Sequence, residues 1–170
     1  MDSAGFLAAI ERGNMRKIRE FVSKEPIEWK TVVNKDGIHA VALAIFYKYL
    51  EMVEYFLSIG WNIESRVDKS GSTGFLYAAY FGFVGGVDLF VERGCNIEAK
   101  NDHGNGALAL ACFEGHFAMV KKLIGMGFSV NETHQYDSIS LHFAADQGHV
   151  DIAAYLIEKG ADIEAETRVL

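Results

Sequence analysis

Disulfide scaffolds, nucleic-acid binders and secreted proteins leave signatures in a sequence, and this chain lacks all three signatures. It has only two cysteines, Cys95 and Cys112, whose spacing fits neither a metal site nor a redox motif. Acidic residues outnumber basic residues by 23 to 16, which gives a net charge of −7. Nucleic acids and anionic membrane surfaces attract basic proteins, so we expect neither as a partner.

We expect neither a secretory signal nor a membrane span. The first residues, MDSAGFLAAIERG, have no basic segment followed by a long apolar run. We therefore expect an intracellular location, the cytoplasm first, with the nucleus left open. Residues 70–87 are uncharged and reach the minimum length of a span. They contain five glycines and begin Ser-Gly-Ser-Thr-Gly, so we expect no membrane insertion.

What the chain does contain is a repeat. One glycine series closes successive apolar segments at spacings of 34, 33 and 33 residues: Gly60, Gly94, Gly127 and Gly160. Two more series keep nearly the same period: the glycines Gly82, Gly115 and Gly148, and the alanines Ala9, Ala44, Ala78, Ala111 and Ala144. Self-similarity at this period indicates a solenoid, in which each unit buries its apolar face against its neighbours.

Residues 101–132 show one unit in full. A turn at Asp102-His103-Gly104 precedes a helix pattern over residues 107–114, and Gly115 ends that helix in a left-handed conformation. A second helix pattern continues to about Met126, and Gly127 ends it. The small alanines let the two helices of such a pair approach closely. Cys112 falls in an alanine position, which predicts a small buried side chain.

This unit resembles the ankyrin repeat, and the resemblance extends over essentially the whole chain. The last unit matches best, with Leu141-His142, Ala144-Ala145, Gly148-His149 and Gly160-Ala161-Asp162. The resemblance implies an all-α ankyrin-repeat solenoid of about five stacked helix-turn-helix units with short β-hairpin-like connections. We expect one domain over residues 1–170, with units at about 1–33, 34–67, 68–100, 101–133 and 134–170, the first and last divergent or incomplete.

The chain departs from the family pattern at several positions. Ankyrin-like units usually open their first helix with Thr-Pro-Leu-His, yet the single proline, Pro26, lies elsewhere, and only Thr73 keeps the helix cap. Lys48 replaces the glycine that ends a first helix, at a cost of roughly 1 kcal/mol. Asp137 replaces a turn glycine, and aspartate tolerates positive φ. We expect the fold to survive with a less rigid stack.

Catalytic, metal and cofactor sites are not expected. Residues 104–109 match the loose pattern G-x-G-x-x-A, but a phosphate-binding loop needs a buried strand before it, and a polar segment stands there instead. The six histidines show no metal-ligand spacing, and His142 occupies the Leu-His position that the resemblance implies is structural. No nucleophile, base and orienting group can be assembled, so we expect a protein without enzymatic activity.

The resemblance also implies a partner surface on the concave face, where the two residues before each inner-helix glycine point outward. These residues are Glu11, Arg12, Phe46, Tyr47, Tyr80, Phe81, Phe113, Glu114, Asp146 and Gln147. Five of them are aromatic, typical of an interface hot spot with a polar rim. The hairpin tips would add Lys35, Asp36, Lys69, Asp102, His103, Gln135 and Tyr136. Two alternatives stay open: some rings pack inward, or the register is shifted by one residue.

We therefore predict a monomeric, non-catalytic module, an adaptor or scaffold that binds a protein partner. The alternatives are a stoichiometric inhibitor of an enzyme such as a kinase, and the targeting part of a larger enzyme or membrane protein. No obvious polar capping helix follows Ala165, which would fit an excerpt of a longer array. Asn131 is a candidate modification site, because the resemblance places it where asparagine hydroxylases act in some repeats.

Overall fold

The computed structural model describes residues 2–24 and 28–168. Pro26 and the side chain of Gln135, both named above, lie outside the described part. The described residues form ten α-helices: α1 (Ser3–Glu11), α2 (Met15–Lys24), α3 (Ala40–Phe46), α4 (Leu50–Ser58), α5 (Gly74–Tyr80), α6 (Val84–Glu92), α7 (Ala107–Phe113), α8 (Phe117–Gly125), α9 (Ser140–Asp146) and α10 (Val150–Glu158). Two short 3₁₀ turns, Glu28–Thr31 and Gln135–Asp137, lie in the connections.

The helices pack as five antiparallel pairs stacked in chain order. The first members, α1, α3, α5, α7 and α9, form an inner row in which each helix contacts the next. The second members form an outer row, with contacts from α4 to α6, α6 to α8 and α8 to α10. The connections contribute two isolated antiparallel bridges, Val33 to His39 and Arg66 to Thr73. The all-α solenoid expected from the sequence is confirmed.

The three central inner helices, α3, α5 and α7, are buried on almost every side. In α3, α5 and α7, the first six of the seven residues are buried, which is the pattern of a helix enclosed by neighbours. The repeated alanines are between 0% and 3% exposed. Cys112 is fully buried among them, as predicted. Large side chains such as Phe75 and Leu108 fill the space between units, and burying each contributes roughly 1.5–3 kcal/mol.

Each inner helix ends in a residue with left-handed backbone geometry. Gly115 has φ of 76°, and Lys48, at the equivalent place after α3, has φ of 58°. Asp137 likewise has a positive φ of 56° in its turn. The Thr73 cap is also present, since its hydroxyl accepts the Leu76 N–H at 3.4 Å. The departures predicted from the sequence therefore keep the backbone geometry of the repeat.

An aromatic ring after the left-handed residue connects most units to the one before. The ring of His149 covers Gly115, where a Cβ atom would lie 2.5 Å from the imidazole Cε1. A His149 ring nitrogen, Nε2, lies 3.0 Å from the Phe113 carbonyl oxygen. Tyr49 covers Gly13 in the same way, and its hydroxyl donates to the Glu11 carbonyl at 3.3 Å. The glycine thus has two roles: it adopts the left-handed conformation of its own turn, and it leaves space for the ring of the next unit.

The single lysine in the glycine position is accompanied by a change in the following ring. Phe83 occupies the position in its unit that His149 occupies in the last unit. In the unit before Phe83, the left-handed residue that such a ring would cover is Lys48 rather than glycine. Phe83 is 7% exposed and turns toward its own helix, where a Cβ on Gly86 would clash with its ring. Gly86 thus makes room for a ring that can no longer lie over a glycine.

Ion pairs also join neighbouring outer helices, but they contribute little. Arg19 in α2 pairs with Glu51 in α4 at 3.2 Å, and both side chains are more than half exposed. Glu54 in α4 pairs with Arg93 after α6 at 2.8 Å. Exposed pairs of this kind contribute typically about 0.2–1 kcal/mol each. The buried apolar contacts between units are therefore the main source of stability.

No helix in the described residues is long and apolar enough to cross a membrane. The uncharged stretch at residues 70–87 divides between α5 and α6, which are separated by a turn at Gly82.

We predict that Gly115→Ala destabilises the protein more than Gly148→Ala does. Both glycines have positive φ, so each alanine costs roughly 1 kcal/mol through the backbone. Of these two glycines, Gly115 lies beneath the His149 ring. A Cβ added to Gly148 would have no other atom within 4 Å. We expect total losses of about 2–3 kcal/mol and about 1 kcal/mol, respectively, in urea unfolding. Equal losses would show that the ring moves aside freely.

We also predict that Lys48→Gly stabilises the protein. Glycine removes the left-handed strain of the lysine, and its greater freedom in the unfolded chain offsets part of that gain. The expected net gain is about 0.5–1 kcal/mol in the free energy of unfolding. Lys35→Gly is the matched control, because Lys35 is also exposed but has no positive φ, and it should not stabilise. A gain in both variants would contradict the strain argument.

Candidate functional site

A groove of about 440 Å³ lies between the hairpin tips and the last turns of the inner helices. Its walls come from successive units, with tip residues on one side and residues of α5, α7 and α9 on the other. Sixteen residues line it: Asp36, Ile38, Asp68, Lys69, Ser70, Ser72, Tyr77, Tyr80, Phe81, Asn101, His103, Asn105, Ala109, Leu110, Phe113 and Phe143. The volume is within the range of small-ligand sites, so the groove can accept a side chain of a partner.

Phe81 is the centre of an aromatic cluster at one end of this groove. We define the aromatic cluster as Phe46, Tyr77, Tyr80 and Phe81. The Phe81 ring meets the other three edge to face, with centroid separations of 5.0, 4.8 and 4.9 Å, respectively. Such pairs contribute about 0.5–1.5 kcal/mol each beyond burial, so the cluster holds its rings in defined positions. Tyr47 extends it by an edge-to-face contact with Phe46.

The five aromatic residues predicted from the sequence differ in their exposure. Phe46, Tyr47 and Phe113 are exposed by 45%, 39% and 38%. Tyr80 and Phe81 are half-buried, and Phe81 packs on the buried ring of Tyr77. The expectation of exposed rings describes Phe46, Tyr47 and Phe113. The alternative that some rings pack inward describes Tyr80 and Phe81.

The groove brings together some of the predicted site residues and leaves others apart. Asp36, Lys69 and His103 from the tips line it together with Tyr80, Phe81 and Phe113. The remaining predicted positions with described side chains are outside its lining: Glu11, Arg12, Lys35, Phe46, Tyr47, Asp102, Glu114, Tyr136, Asp146 and Gln147. Of these, all but the half-buried Glu114 are exposed.

Several lining residues were missed by sequence reasoning. Asp68 and Asn101 hold the hairpin tips, since Asp68 Oδ1 accepts the Ser72 N–H at 2.9 Å and Asn101 Oδ1 accepts two backbone N–H groups. With Asn34 they repeat at spacings of 34 and 33 residues, a signal that could have identified them. Tyr77 and Phe143 lie deeper, and their approach to the groove depends on how the units stack.

The two tyrosines of the aromatic cluster stay neutral hydroxyl groups at physiological pH. Burial raises the pKa of Tyr77 to about 12, and the Asp68 carboxylate adds to the rise. Burial likewise raises the pKa of Tyr80 to about 12, with further contributions from Glu114 and Asp68. The cluster is therefore an apolar surface with polar edges, next to carboxylates.

Gly106 of the glycine loop and two of the histidines, His134 and His142, contact the backbone of the connections between helices. Gly106 precedes α7, and its N–H points to Nδ1 of His134 at 3.5 Å. His142 Nδ1 accepts the Ile139 N–H at 3.0 Å, and its Nε2 lies 3.0 Å from the Ala165 carbonyl oxygen. Across residues 2–24 and 28–168, no group of three or more His, Cys, Asp or Glu side chains could hold a metal ion.

Asn131, the candidate modification site, connects two successive units. Its Oδ1 accepts the Asp162 N–H at 2.8 Å, and its Nδ2 donates to the Gly160 carbonyl at 2.9 Å. Glu64 makes the accepting half of this contact two units earlier, since its Oε1 accepts the Asn96 N–H at 2.7 Å. A hydroxylase would have to draw Asn131 out of these contacts.

Comparisons with known proteins agree with this architecture. A family model described as ankyrin repeats, in three copies, matches residues 6–101 and 75–167. The putative ankyrin repeat protein L675 of Acanthamoeba polyphaga mimivirus is 34% identical over 123 residues, covering 72% of this chain and 23% of the relative. Alpha-latrocrustotoxin-Lt1a of Latrodectus tredecimguttatus is 35% identical over 68 residues, covering 39% and 5%.

A third relative is the transient receptor potential cation channel subfamily A member 1 homolog of Caenorhabditis elegans. It is 35% identical over 68 residues, which cover 40% of this chain and 6% of the channel. The chain thus spans less than a quarter of the length of each of these three curated relatives.

We predict that His134 makes the protein less stable in acid. Burial lowers its pKa to about 4 from an ordinary value of 6.5, and the nearby Lys100 adds to this while Glu132 opposes it. Between those values the unfolded chain binds a proton that the folded chain does not bind. Stability contributed by neutral His134 is therefore present above about pH 6.5 and lost as the pH falls to about 4, by up to about 3 kcal/mol.

His134→Asn tests this prediction, because its amide oxygen can still accept a backbone N–H but does not titrate in this range. Urea unfolding at a series of pH values should show a shallower loss of stability for the variant between pH 6.5 and 4. Parallel curves for the two proteins would contradict the assignment.

Proposed function

Because the chain belongs to the ankyrin-repeat family, we propose that it is a non-catalytic adaptor or scaffold module that binds a protein partner through its concave face. Ankyrin repeats generally act as protein–protein interaction modules. In this proposal the chain works as an intracellular monomer. The anchors are the five aromatic residues Phe46, Tyr47, Tyr80, Phe81 and Phe113.

The observation that supports this proposal is the exposure of large rings beside the groove. Phe46, Tyr47 and Phe113 each expose more than a third of their surface, the first two at the end of α3 and the third at the end of α7. Phe81, in the unit between them, contacts Phe46 and lines the groove together with Phe113. Contiguous apolar surface of this kind favours non-specific association unless a partner covers it. Aromatic residues are also the side chains that most often dominate binding energy at interfaces.

Polar residues surround these rings and would form the rim of the interface. Glu114, Asp146 and Gln147 follow along the inner helices, and Lys69, His103 and Tyr136 lie at the tips. Rim charges of this kind affect the association rate and the choice of partner more than the affinity. We also propose Asn131 as a modification site, where hydroxylation would act on the contact between units.

We predict that Phe46→Ala combined with Phe113→Ala abolishes partner recovery without unfolding the protein. Both side chains are partly exposed, but Phe46 also loses its edge-to-face contacts with Tyr47 and Phe81. The double truncation should therefore lower the free energy of unfolding by about 1–3 kcal/mol and leave the protein folded. Truncating two hot-spot rings should weaken binding by at least about 100-fold. The measurement is a quantitative affinity pull-down from cell extract with the folded variant and the natural chain side by side.

Leu50→Ala combined with Val91→Ala provides the matched control. These side chains are 43% and 36% exposed but lie on the outer helices α4 and α6. The control should recover the same proteins as the natural chain. If the Phe46/Phe113 variant recovers those proteins equally well, binding through the concave face is wrong.

A further inference from the structure

The groove beside the aromatic cluster has a negative electrostatic character. Asp36 and Asp68 both line it, from tips of successive units, and Glu114 stands close enough to affect the pKa of Tyr80. Among the described lining residues, Lys69 is the one lysine or arginine. Its Cε lies 2.9 Å from the place of a Cβ on Gly37, so its stem runs along the neighbouring tip. Carboxylates therefore outnumber cations around the groove.

These two aspartates have no salt-bridge partner among the described residues. Asp102 at the next tip, in contrast, pairs with Arg66. The Asp68 side chain is also held in place, because its Oδ1 accepts the Ser72 N–H. A fixed and unpaired carboxylate next to an apolar surface attracts a cation more strongly than one in bulk water.

The rings of the groove suit the same type of ligand. Tyr77, Tyr80, Phe81 and Phe113 line it together, and the faces of aromatic rings attract ammonium and guanidinium groups. The Asp68 carboxylate also acts on these rings electrostatically, since it contributes to the raised pKa values of Tyr77 and Tyr80. An apolar stem with a cationic end is complementary to both features, and lysine and arginine have that construction.

We propose that this groove receives a lysine or arginine side chain from an extended basic segment of the protein partner. The stem lies against the rings of Phe81 and Phe113, and the cationic group meets the Asp68 carboxylate, with Asp36 at the outer end. The inference rests on the proposed function, and it adds the chemical class of the segment that binds.

This proposal can be tested with a random peptide library displayed on phage. The library is selected for binding to the folded chain, and the selected peptides are the probes. Selected sequences should share a lysine or arginine, and fluorescence anisotropy should show about tenfold weaker binding when citrulline or norleucine replaces it. Asp68→Asn should also weaken binding about tenfold, and asparagine can still accept the Ser72 N–H. Asp151→Asn is the matched control, because Asp151 is an exposed residue of α10 whose Oδ1 also accepts a backbone N–H; it should leave binding unchanged.

Phe113→Ala distinguishes failure of the inference from failure of the proposed function. One outcome is that the Phe113→Ala variant binds the peptides more weakly, while neither Asp68→Asn in the protein nor citrulline or norleucine in the peptide changes the affinity. That outcome would overturn the preference for a cation and leave binding through the concave face intact. Peptides that bind the Phe113→Ala variant normally would count against both proposals. A selection that enriches no peptide would also overturn the inference, because a short basic segment should be sufficient to bind.

Discussion

Close approach of the inner helices is the constraint on which this molecule depends. The alanines at Ala44, Ala78 and Ala111 are fully buried, so a larger side chain there would force neighbouring helices apart. Small residues at the centre bring each inner helix near both the next unit and its own outer helix. The larger apolar side chains then fill the space between units, and their burial outweighs the weak ion pairs on the outer surface.

The same constraint leaves the ends of α3 and α7 outside the tightly packed core. Residues such as Phe46 and Phe113 lie just before the left-handed position, beyond the tightly packed part of the helix, and are exposed. Their identity can vary without opening the stack. The scaffold and the candidate site therefore use different residues of the same short helices, so the surface can become aromatic and acidic while the core stays apolar.

Much of the fold could be predicted from the sequence, because the repeat places each local conformation at a known position. Lys48 and Asp137 adopt positive φ because the turns around them require it, whatever residue is present. The details of the groove could not be predicted in this way. Whether Phe81 folds onto Tyr77, and whether Phe143 reaches the groove, depends on the side chains of neighbouring units, which periodicity does not describe. His134 is another example, since it lies near a tip in sequence yet is only 8% exposed.

The ring that covers the preceding glycine has a consequence for how such an array can change during evolution. His149 requires Gly115 beneath it, whereas Phe83 follows Lys48 and occupies space provided by Gly86. A recombination that placed the last unit directly after the unit with Lys48 would put the His149 ring over a lysine. The units on either side of Lys48 are therefore not freely interchangeable, and this part of their order is information that the sequence must conserve.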